Sequence, residues 1–393
     1  MVYAAWVLWM GLVGAALARL IHNVRHLRRL DSGYQASADV SVIIPARNEA
    51  GAIAECVRSF AAQTLTPTQI VVVDDNSTDG TGEVLARLTT SLPKLEIRHA
   101  APLPAGWLGK PAACWSGAET ARGAWLLFAD ADTVARPHLL AALIACAEAY
   151  HIDLLSLQPV QTLRSLPEAV ILPAGALTFG LLQDVARLNA GDVAVANGQC
   201  LLIRAEVYRA VGGHAHPSVR GRILEDLALA RRVQVAGGRV EIRDGGDGVA
   251  TRMYRSSSAL WEGVTKMAAE LFGGGSLWRA GALSVLLLGV SLASVAFPLW
   301  ALWQWGSAPS LVTAFMAIAA LLPSLIILVA HVGLSLTVLR APLWTALLYP
   351  VGYFLAGVAG LVSVYRHATG TVIWRGRRIA EPQFGHTTGS KAG

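Results

Sequence analysis

Two carboxylates on alternate positions, Asp130 and Asp132, follow directly on the apolar run Trp125–Ala129. A hard cation such as Mg²⁺ or Mn²⁺ takes oxygen ligands, commonly one or two carboxylates plus the phosphates of a substrate. A strand that ends in Asp-Ala-Asp can present such a pair if the chain turns between the two. A solvated turn is the plain alternative, and an isolated Asp-x-Asp does not decide. A second pair, Asp74 and Asp75, closes the β-branched run Ile70–Val73 and opens the stretch DDNSTDGT. Adjacent carboxylates after a buried strand suit hydrogen bonds to a base or ribose. The same residues also form turns, and Ser77 or Asp79 could cap the next helix. Lys110, in GWLGKPAA, falls at the start of a helix, where free N–H groups and the dipole favour anions. A phosphate contact and a plain surface lysine both fit. Trp107 beside it could stack on a base, face a membrane or fill core.

Further along, the turn-forming Asn197-Gly198 and Gly212-Gly213 flank a short apolar run, with Gln199 and His214 as candidate acceptor contacts. Glu225 and Asp226 open an amphipathic helix. Acids there are favourable to the dipole, and either could equally be a general base. The segment Thr251–Lys266 interleaves Arg252, Arg255 and Trp261 with small polar residues. It reads either as an interfacial helix with Trp261 at headgroup level or as arginines laid over phosphates. No P-loop, HExxH, dinucleotide fingerprint or Gly-x-Ser-x-Gly elbow is present.

The elements that must position these groups alternate. The β-branched runs Val40–Ile44 and Ile70–Val73, with Leu95–Arg98 and Trp125–Ala129, read as strands. Helical spacing covers Glu49–Gln63, Gly82–Leu92 and Ala112–Ala121. Strand and helix in alternation predict βαβ units and a mostly parallel sheet. Ligands of such sheets sit at the carboxyl ends of the strands, which puts both acidic pairs on one edge.

Of the 393 residues, 54% are apolar and 15% charged, against roughly 25% charged in an ordinary soluble domain. The deficit is local. No Asp, Glu, Lys or Arg occurs from Ala280 to Leu339, and after Arg340 the next is Arg366. Such stretches can cross a bilayer, which takes about 20 apolar residues per helix. The net charge of +6 sits largely beside them, at Arg19, Arg25, Arg28 and Arg29 and again at Arg366, Arg375, Arg377 and Arg378. Basic flanks of spans fit cytoplasmic loops and anionic lipid, not nucleic acid. Four scattered cysteines exclude a zinc or disulfide framework and fit a reduced compartment.

The expected organisation is a membrane anchor at 1–21, a connector at 22–38 and a catalytic domain at 39–255. An interfacial amphipathic segment at 256–280, membrane segments at 281–365 and a basic cytosolic tail at 366–393 follow. Arginines after, not before, the first apolar run favour an uncleaved anchor and a catalytic domain facing the cytoplasm. Three trailing segments, about 281–305, 310–339 and 343–364, would leave the basic tail outside, against the positive-inside tendency. The last one, with Pro350, Gly352, Gly357 and Gly360, is therefore a candidate for a re-entrant hairpin.

The ordered set VSVIIPARNE, VVVDDNSTDGT, LLFADADT and EDLALA resembles the family 2 glycosyltransferases. With GWLGK, NGQ, GGH and TRMY it resembles more narrowly the hopene-associated glycosyltransferases and their carotenoid and ceramide glycosyltransferase relatives. The resemblance implies an α/β GT-A fold, Rossmann-like with helices on both faces of the sheet, joined to transmembrane helices. It implies that Pro45 to Glu49 with Asp74 and Asp75 hold base and ribose, and that Lys110 faces the donor phosphates. Asp130 and Asp132 would bind the nucleotide diphosphate through Mg²⁺ or Mn²⁺, with Asp132 the stronger metal ligand. Asp226 would be the general base of an inverting transfer from a nucleotide-sugar, UDP-linked by family expectation. Gln199, Glu225, Arg252, Arg255 and Trp261 are candidate acceptor or phosphate contacts. The Q-x-x-R-W motif of polysaccharide-extending members is missing, which favours transfer of one sugar to a lipid at the inner membrane, a hopanoid or similar isoprenoid. A polyprenyl-phosphate glycosyltransferase and a non-catalytic membrane scaffold are the rival expectations.

Overall fold

The computed structural model describes residues 2–31, 36–189, 193–374 and 377–378. Contacts divide the chain into two units, one built from 24–162 and 184–253, the other from 1–23, 163–183 and 254–393.

The first unit is organised by its strands. These are β1 (Val40–Ala46), β2 (Gln69–Asp74), β3 (Leu95–His99), β4 (Trp125–Ala129) and β5 (Thr133–Ala135), then β6 (Leu154–Gln158), β7 (Val160–Thr162), β8 (Cys200–Arg204), β9 (Val240–Asp244) and β10 (Val249–Thr251). The main sheet runs β3-β2-β1-β4-β8-β6-β9. The pairs β3–β2, β2–β1, β1–β4 and β6–β9 are parallel; β8 is antiparallel to both β4 and β6. A second, small sheet places β10 between β7 and β5.

Period-two alternation sorts side chains to opposite faces. Val42, Ile44, Leu127 and Leu202 join one buried cluster with the helices Ile53–Ala61 and Leu139–Ala149. Ile43, Leu126, Phe128, Leu201 and Ile203 join another with the helices Gly109–Glu119 and Glu225–Val235. The sheet is therefore covered on both faces, which is why its strands read as near-continuous apolar runs. The connector also joins this unit: Leu30 N–H donates to the Asp244 carbonyl (3.0 Å) and Asp244 N–H to that of Arg28 (2.9 Å), extending the sheet edge at β9.

The second unit is helical. Among the described residues four helices are long and apolar enough to cross a membrane: Tyr3–His26, Leu277–Ser307, Leu311–Thr337 and Leu343–Ala368. The sequence does not single out a further apolar helix, Leu166–Leu182, which it places inside the catalytic span; it groups here. Within the expected interfacial segment 256–280 lies the helix Ser257–Gly273, which ends at Gly274 and Gly275 in the left-handed region; the next helix begins at Leu277. The hairpin expected in the last apolar segment is not formed. Tyr349–Ala368 is a continuous helix, and its glycines make close packing possible: a Cβ at Gly352 would strike the Val170 carbonyl, at Gly357 Leu288 and the Ser284 carbonyl, and at Gly360 the Ser284 hydroxyl. The tail beyond 378 lies outside the described residues; before it Ile373–Trp374 pairs antiparallel with Arg377–Arg378.

Gly123, just before β4, is closed in by backbone. A Cβ there would lie 2.6 Å from Ser41 N, 2.8 Å from the Asp39 carbonyl and 2.9 Å from the Trp125 carbonyl. Backbone cannot rotate away as a side chain can. Gly123→Ala is expected to cost about 1–3 kcal/mol of stability, as other overpacked sites do. Thermal unfolding of the detergent-solubilised chain checks this; an unchanged midpoint would show that β1 and β4 can separate there.

Candidate active site

The site forms where β4 and β8 meet. Because β8 is antiparallel, its start abuts the end of β4, with Ala129 opposite Cys200. Residues that precede β8 are thereby brought to residues that follow β4. Asp130 N–H donates to the Gln199 carbonyl (3.4 Å), and the Thr133 hydroxyl donates to the same oxygen (3.0 Å). Thr133 N–H closes the turn onto the Asp130 carbonyl (3.0 Å). The Cys56 thiol donates to that carbonyl from behind at 3.5 Å. Asp132 is fixed from β10, whose Thr251 hydroxyl donates to its carboxylate at 3.0 Å.

Lys110 joins the two acidic groups. Its Nζ lies 2.8 Å from Asp130 Oδ1 and 2.8 Å from Glu225 Oε1. It stands in the first turn of the helix Gly109–Glu119, which packs on β1 and β2. Asp226 completes the group. Its Oδ2 accepts from Gly198 N–H at 2.6 Å and its Oδ1 from Leu227 N–H at 2.7 Å. Charge-assisted bonds of this length are strong and orient the carboxylate.

The electrostatics follow from crowding. Asp226 is pushed up to about 7 by burial and by Glu225, against the opposing pull of Lys110 and its two N–H bonds. Asp132 is likewise pushed up to about 7, by burial and then by Asp130 and Glu49. For Lys110, burial favours the neutral form but is outweighed by Asp130, Glu225 and Asp226, which hold its pKa well above the usual lysine range. The ammonium is thus permanently charged.

The donor set at Asp130 and Asp132 fits a hard divalent cation: two carboxylates, with negative charge in excess at Asp132. Among the described residues no group of three His, Cys, Asp or Glu side chains forms a ready-made cage. Two carboxylates suit an ion whose remaining ligands are substrate phosphates and water.

Asp74 and Asp75 lie at the end of β2, on the same edge, and both are buried. Asp74 accepts from Ser77 N–H (3.0 Å), three residues on, and Arg47 donates to the Asp75 carbonyl (2.6 Å). The loops after β1 and β2 are laced together. Asn48 N–H donates to Ser77 Oγ (2.9 Å), Glu49 N–H to Thr81 Oγ1 (2.8 Å) and Ala50 N–H to Asp79 Oδ2 (3.0 Å). Neither Ser77 nor Asp79 is the helix cap; the cap position is Gly80, in the left-handed region with φ 93°. Asp79 is held below the usual carboxylate range because its hydrogen bonds from Thr81 and Ala50 outweigh burial. Pro45 is the last but one residue of β1, opposite Val73 of β2.

Other expected contacts fall elsewhere. The Gln199 carboxamide is buried and bound internally, accepting from Gln161 (2.9 Å) and Asn197 (3.3 Å), so it braces the turn. His214 is buried against Phe128, takes a 2.9 Å bond with Tyr208 and is pushed down to about 3 by burial and by Lys110, so its ring is neutral and structural. Glu225 spends its charge on Lys110. Arg252 follows β10 in the sheet unit, whereas Arg255 and Trp261 belong to the helical unit. The residues that sequence reasoning passed over are Gly198, Cys56 and Thr251. Only the first carried a signal, the Asn-Gly turn.

The fold and the acidic edge define a sugar-nucleotide transferase class, GT-A. A mannosyltransferase from Pyrobaculum calidifontis, solved with GDP-Man and Mn²⁺, superposes with a TM-score of 0.51 over 93% of this chain and 98% of its own at 17% identity. The Glycosyl transferase family 2 domain matches residues 41–211. The 4,4'-diaponeurosporenoate glycosyltransferase of Staphylococcus aureus strain USA300 is 30% identical over 295 residues, 69% of this chain and 74% of that protein. Its counterpart in strain MRSA252 is 30% identical over 71% of this chain and 74% of its own. The chain belongs to glycosyltransferase family 2 and is a glycosyltransferase.

A Cβ on Gly198 would sit 3.0 Å from Lys110 Nζ and 3.3 Å from Asp226 Oδ2. The lysine end is the softest neighbour, so Gly198→Ala should fold normally while displacing the ammonium from its two carboxylates. A misplacement near 1 Å costs about 100-fold in rate. Transfer assays paired with thermal unfolding are expected to show a loss of that order in kcat at a near-wild-type midpoint. Equal loss of both would reduce Gly198 to a folding residue.

Proposed function

We propose that this glycosyltransferase is an inverting, membrane-bound enzyme that moves one sugar from a nucleotide-sugar, UDP-linked, to a hydroxyl of a lipid acceptor of the hopanoid or similar isoprenoid type. The observation that carries the reading is the Asp226 carboxylate, gripped by two backbone N–H groups beside the Lys110 clamp and pushed up to about 7. A carboxylate with that affinity for protons is matched to removing one from an alcohol near neutral pH. Asp226 takes the acceptor hydroxyl proton as the oxygen attacks the anomeric carbon. The bond to the nucleotide diphosphate breaks on the opposite face, so the centre inverts.

Lys110 faces the diphosphate, and its fixed charge offsets what the leaving group gains. Asp132 and Asp130 would hold Mg²⁺ or Mn²⁺, which when bound supplies Lewis-acid stabilisation of that same charge. Pro45, Glu49, Asp74 and Asp75 serve base and ribose. A lipid acceptor is supported by the four apolar helices and by the relatives, whose names specify 4,4'-diaponeurosporenoate; that lipid is a carboxylate, so the choice of a hydroxyl rests on Asp226 and not on the relatives. The sheet unit faces the cytoplasm of the inner membrane, where nucleotide-sugars are made; four free, buried cysteines fit that side. A neutral hydroxyl acceptor suits a site where Glu225 and Asp226 outnumber Lys110, and an incoming phosphate would meet repulsion there.

The test is a donor screen by nucleotide release with purified full-length protein and extracted membrane lipids. The expected product is a neutral glycolipid; sugar on a phosphate-linked carrier would overturn the acceptor assignment. Asp226→Asn should lower kcat by about 10²–10⁴-fold. Because the active form is the deprotonated one, kcat/KM should rise with pH through about 7 and be lost below it. Lys110→Met removes a charge that pulls Asp226 down, so the same limb should move to higher pH. An unmoved limb in Lys110→Met, or full activity in Asp226→Asn, contradicts the base assignment.

The cation site has its own check. Asp132→Asn should weaken Mn²⁺-dependent binding of free UDP, followed by calorimetry, at least tenfold, one or two carboxylates being all that the protein contributes. Identical UDP binding with and without Mn²⁺ would remove the metal from the scheme.

A further inference from the structure

The helical unit holds a cluster of polar groups that the transfer reaction does not use. His331, on the helix Leu311–Thr337, is 1% exposed. Its ring lies 5.6 Å from that of Tyr349 and 5.6 Å from that of Tyr353, and the two tyrosine rings lie 6.4 Å apart. Ala174, Leu287 and Ala356 are buried with the tyrosines, and Ile327 and Leu328 pack against them. Among the described residues the buried His331 Nε2 has no hydrogen-bond partner. A buried polar group left unpaired costs about 1–3 kcal/mol. Among helices apolar enough to cross a bilayer no bulk water is at hand to relieve it, and ionisable residues in such segments mark functional sites.

We propose that His331, Tyr349 and Tyr353 form a subsite that hydrogen-bonds the hydroxyl of a neutral lipid within the helical unit. An imidazole and two phenols can both donate to and accept from a hydroxyl, whereas they offer no fixed charge for a phosphate or carboxylate. The aliphatic and aromatic surroundings suit a hydrocarbon body. The ligand class is therefore an uncharged, hydroxyl-bearing isoprenoid amphiphile. Taken as the acceptor's subsite, this rests on the reading that the acceptor is a lipid; as a lipid-binding site it stands separately.

The probe is geranylgeraniol carrying a diazirine, photolysed with the full-length protein in detergent and mapped by mass spectrometry. Label is expected on peptides containing His331 or Tyr349–Tyr353. Unlabelled geranylgeraniol should compete at least tenfold better than the corresponding hydrocarbon without the hydroxyl. His331→Leu and the near-isosteric Tyr349→Phe/Tyr353→Phe pair should each lose the label at this site while donor hydrolysis in the absence of lipid stays unchanged. Without ligand, His331→Leu should melt no lower than wild type, since it removes an unpaired group; a merely structural histidine would melt lower. Equal labelling in the variants, or equal competition by the hydrocarbon, overturns the proposal. If lipid transfer is observed and labelling is unaffected by the variants, the subsite fails while the acceptor reading stands. If labelling behaves as expected but no lipid is glycosylated, the acceptor reading fails and the lipid site stands.

Discussion

Carboxylates of Glu49, Asp130, Asp132, Glu225 and Asp226 gather around the meeting of β4 and β8, and like charges so close repel. The ammonium of Lys110 is what lets the arrangement persist, bridging Asp130 and Glu225 at 2.8 Å each. The balance is incomplete, and the residue of it appears as two carboxylates, Asp132 and Asp226, pushed up to about 7. That imbalance suits the two roles proposed here. A carboxylate raised to about 7 is matched to taking a proton from an alcohol, the role proposed for Asp226, and crowded negative charge at Asp132 suits the cation proposed there. Lys110 stands between Asp130 and Glu225, separating the two.

The division depends on a single antiparallel strand. Were β8 parallel to β4, its start would lie at the opposite edge, and the Asn197–Gln199 turn could not reach Asp130 and Asp226. Antiparallel pairing puts Cys200 opposite Ala129, and the turn before it then supplies the Gly198 N–H that grips Asp226. Buried polar side chains on neighbouring strands hold the turn: Ser156 bonds Asn197, and Gln161 bonds Gln199. Since unpaired polar groups there would be costly, this mesh sets the turn's conformation tightly.

The helical unit solves a different problem with different residues. Helices in hydrocarbon gain little from burying leucine against leucine, so they associate through close backbone approach. Gly352, Gly357 and Gly360 provide that approach on one helix, meeting Val170, Ser284 and Leu288. The same glycines, poor helix formers by propensity, seat this helix among its neighbours.

The order of the chemistry was legible in the sequence. β-branched runs marked β1 and β2, and Trp125–Ala129 was read as a strand with the bounds it has, because a strand covered on both faces must be apolar throughout. Asp74, Asp75, Asp130, Asp132, Lys110 and Asp226 each follow a strand or open a helix, and those places are set by local pattern. The long apolar helices were equally plain, since crossing hydrocarbon demands length and lack of charge. Contacts between distant segments were not legible. That Gln199 and His214 face inward, that Glu225 is spent on Lys110, and that Thr251 holds Asp132 follow from pairing across 119 residues or fewer of intervening chain, and no local spacing encodes such pairs. Nor could the glycines of Tyr349–Ala368 declare themselves as packing residues, because a missing side chain has meaning only when a neighbour fills its place. The sequence alone determined which residues could do chemistry and on which edge of a sheet; the tertiary structure decided which of them touch, because charge and hydrogen-bond pairing act through space.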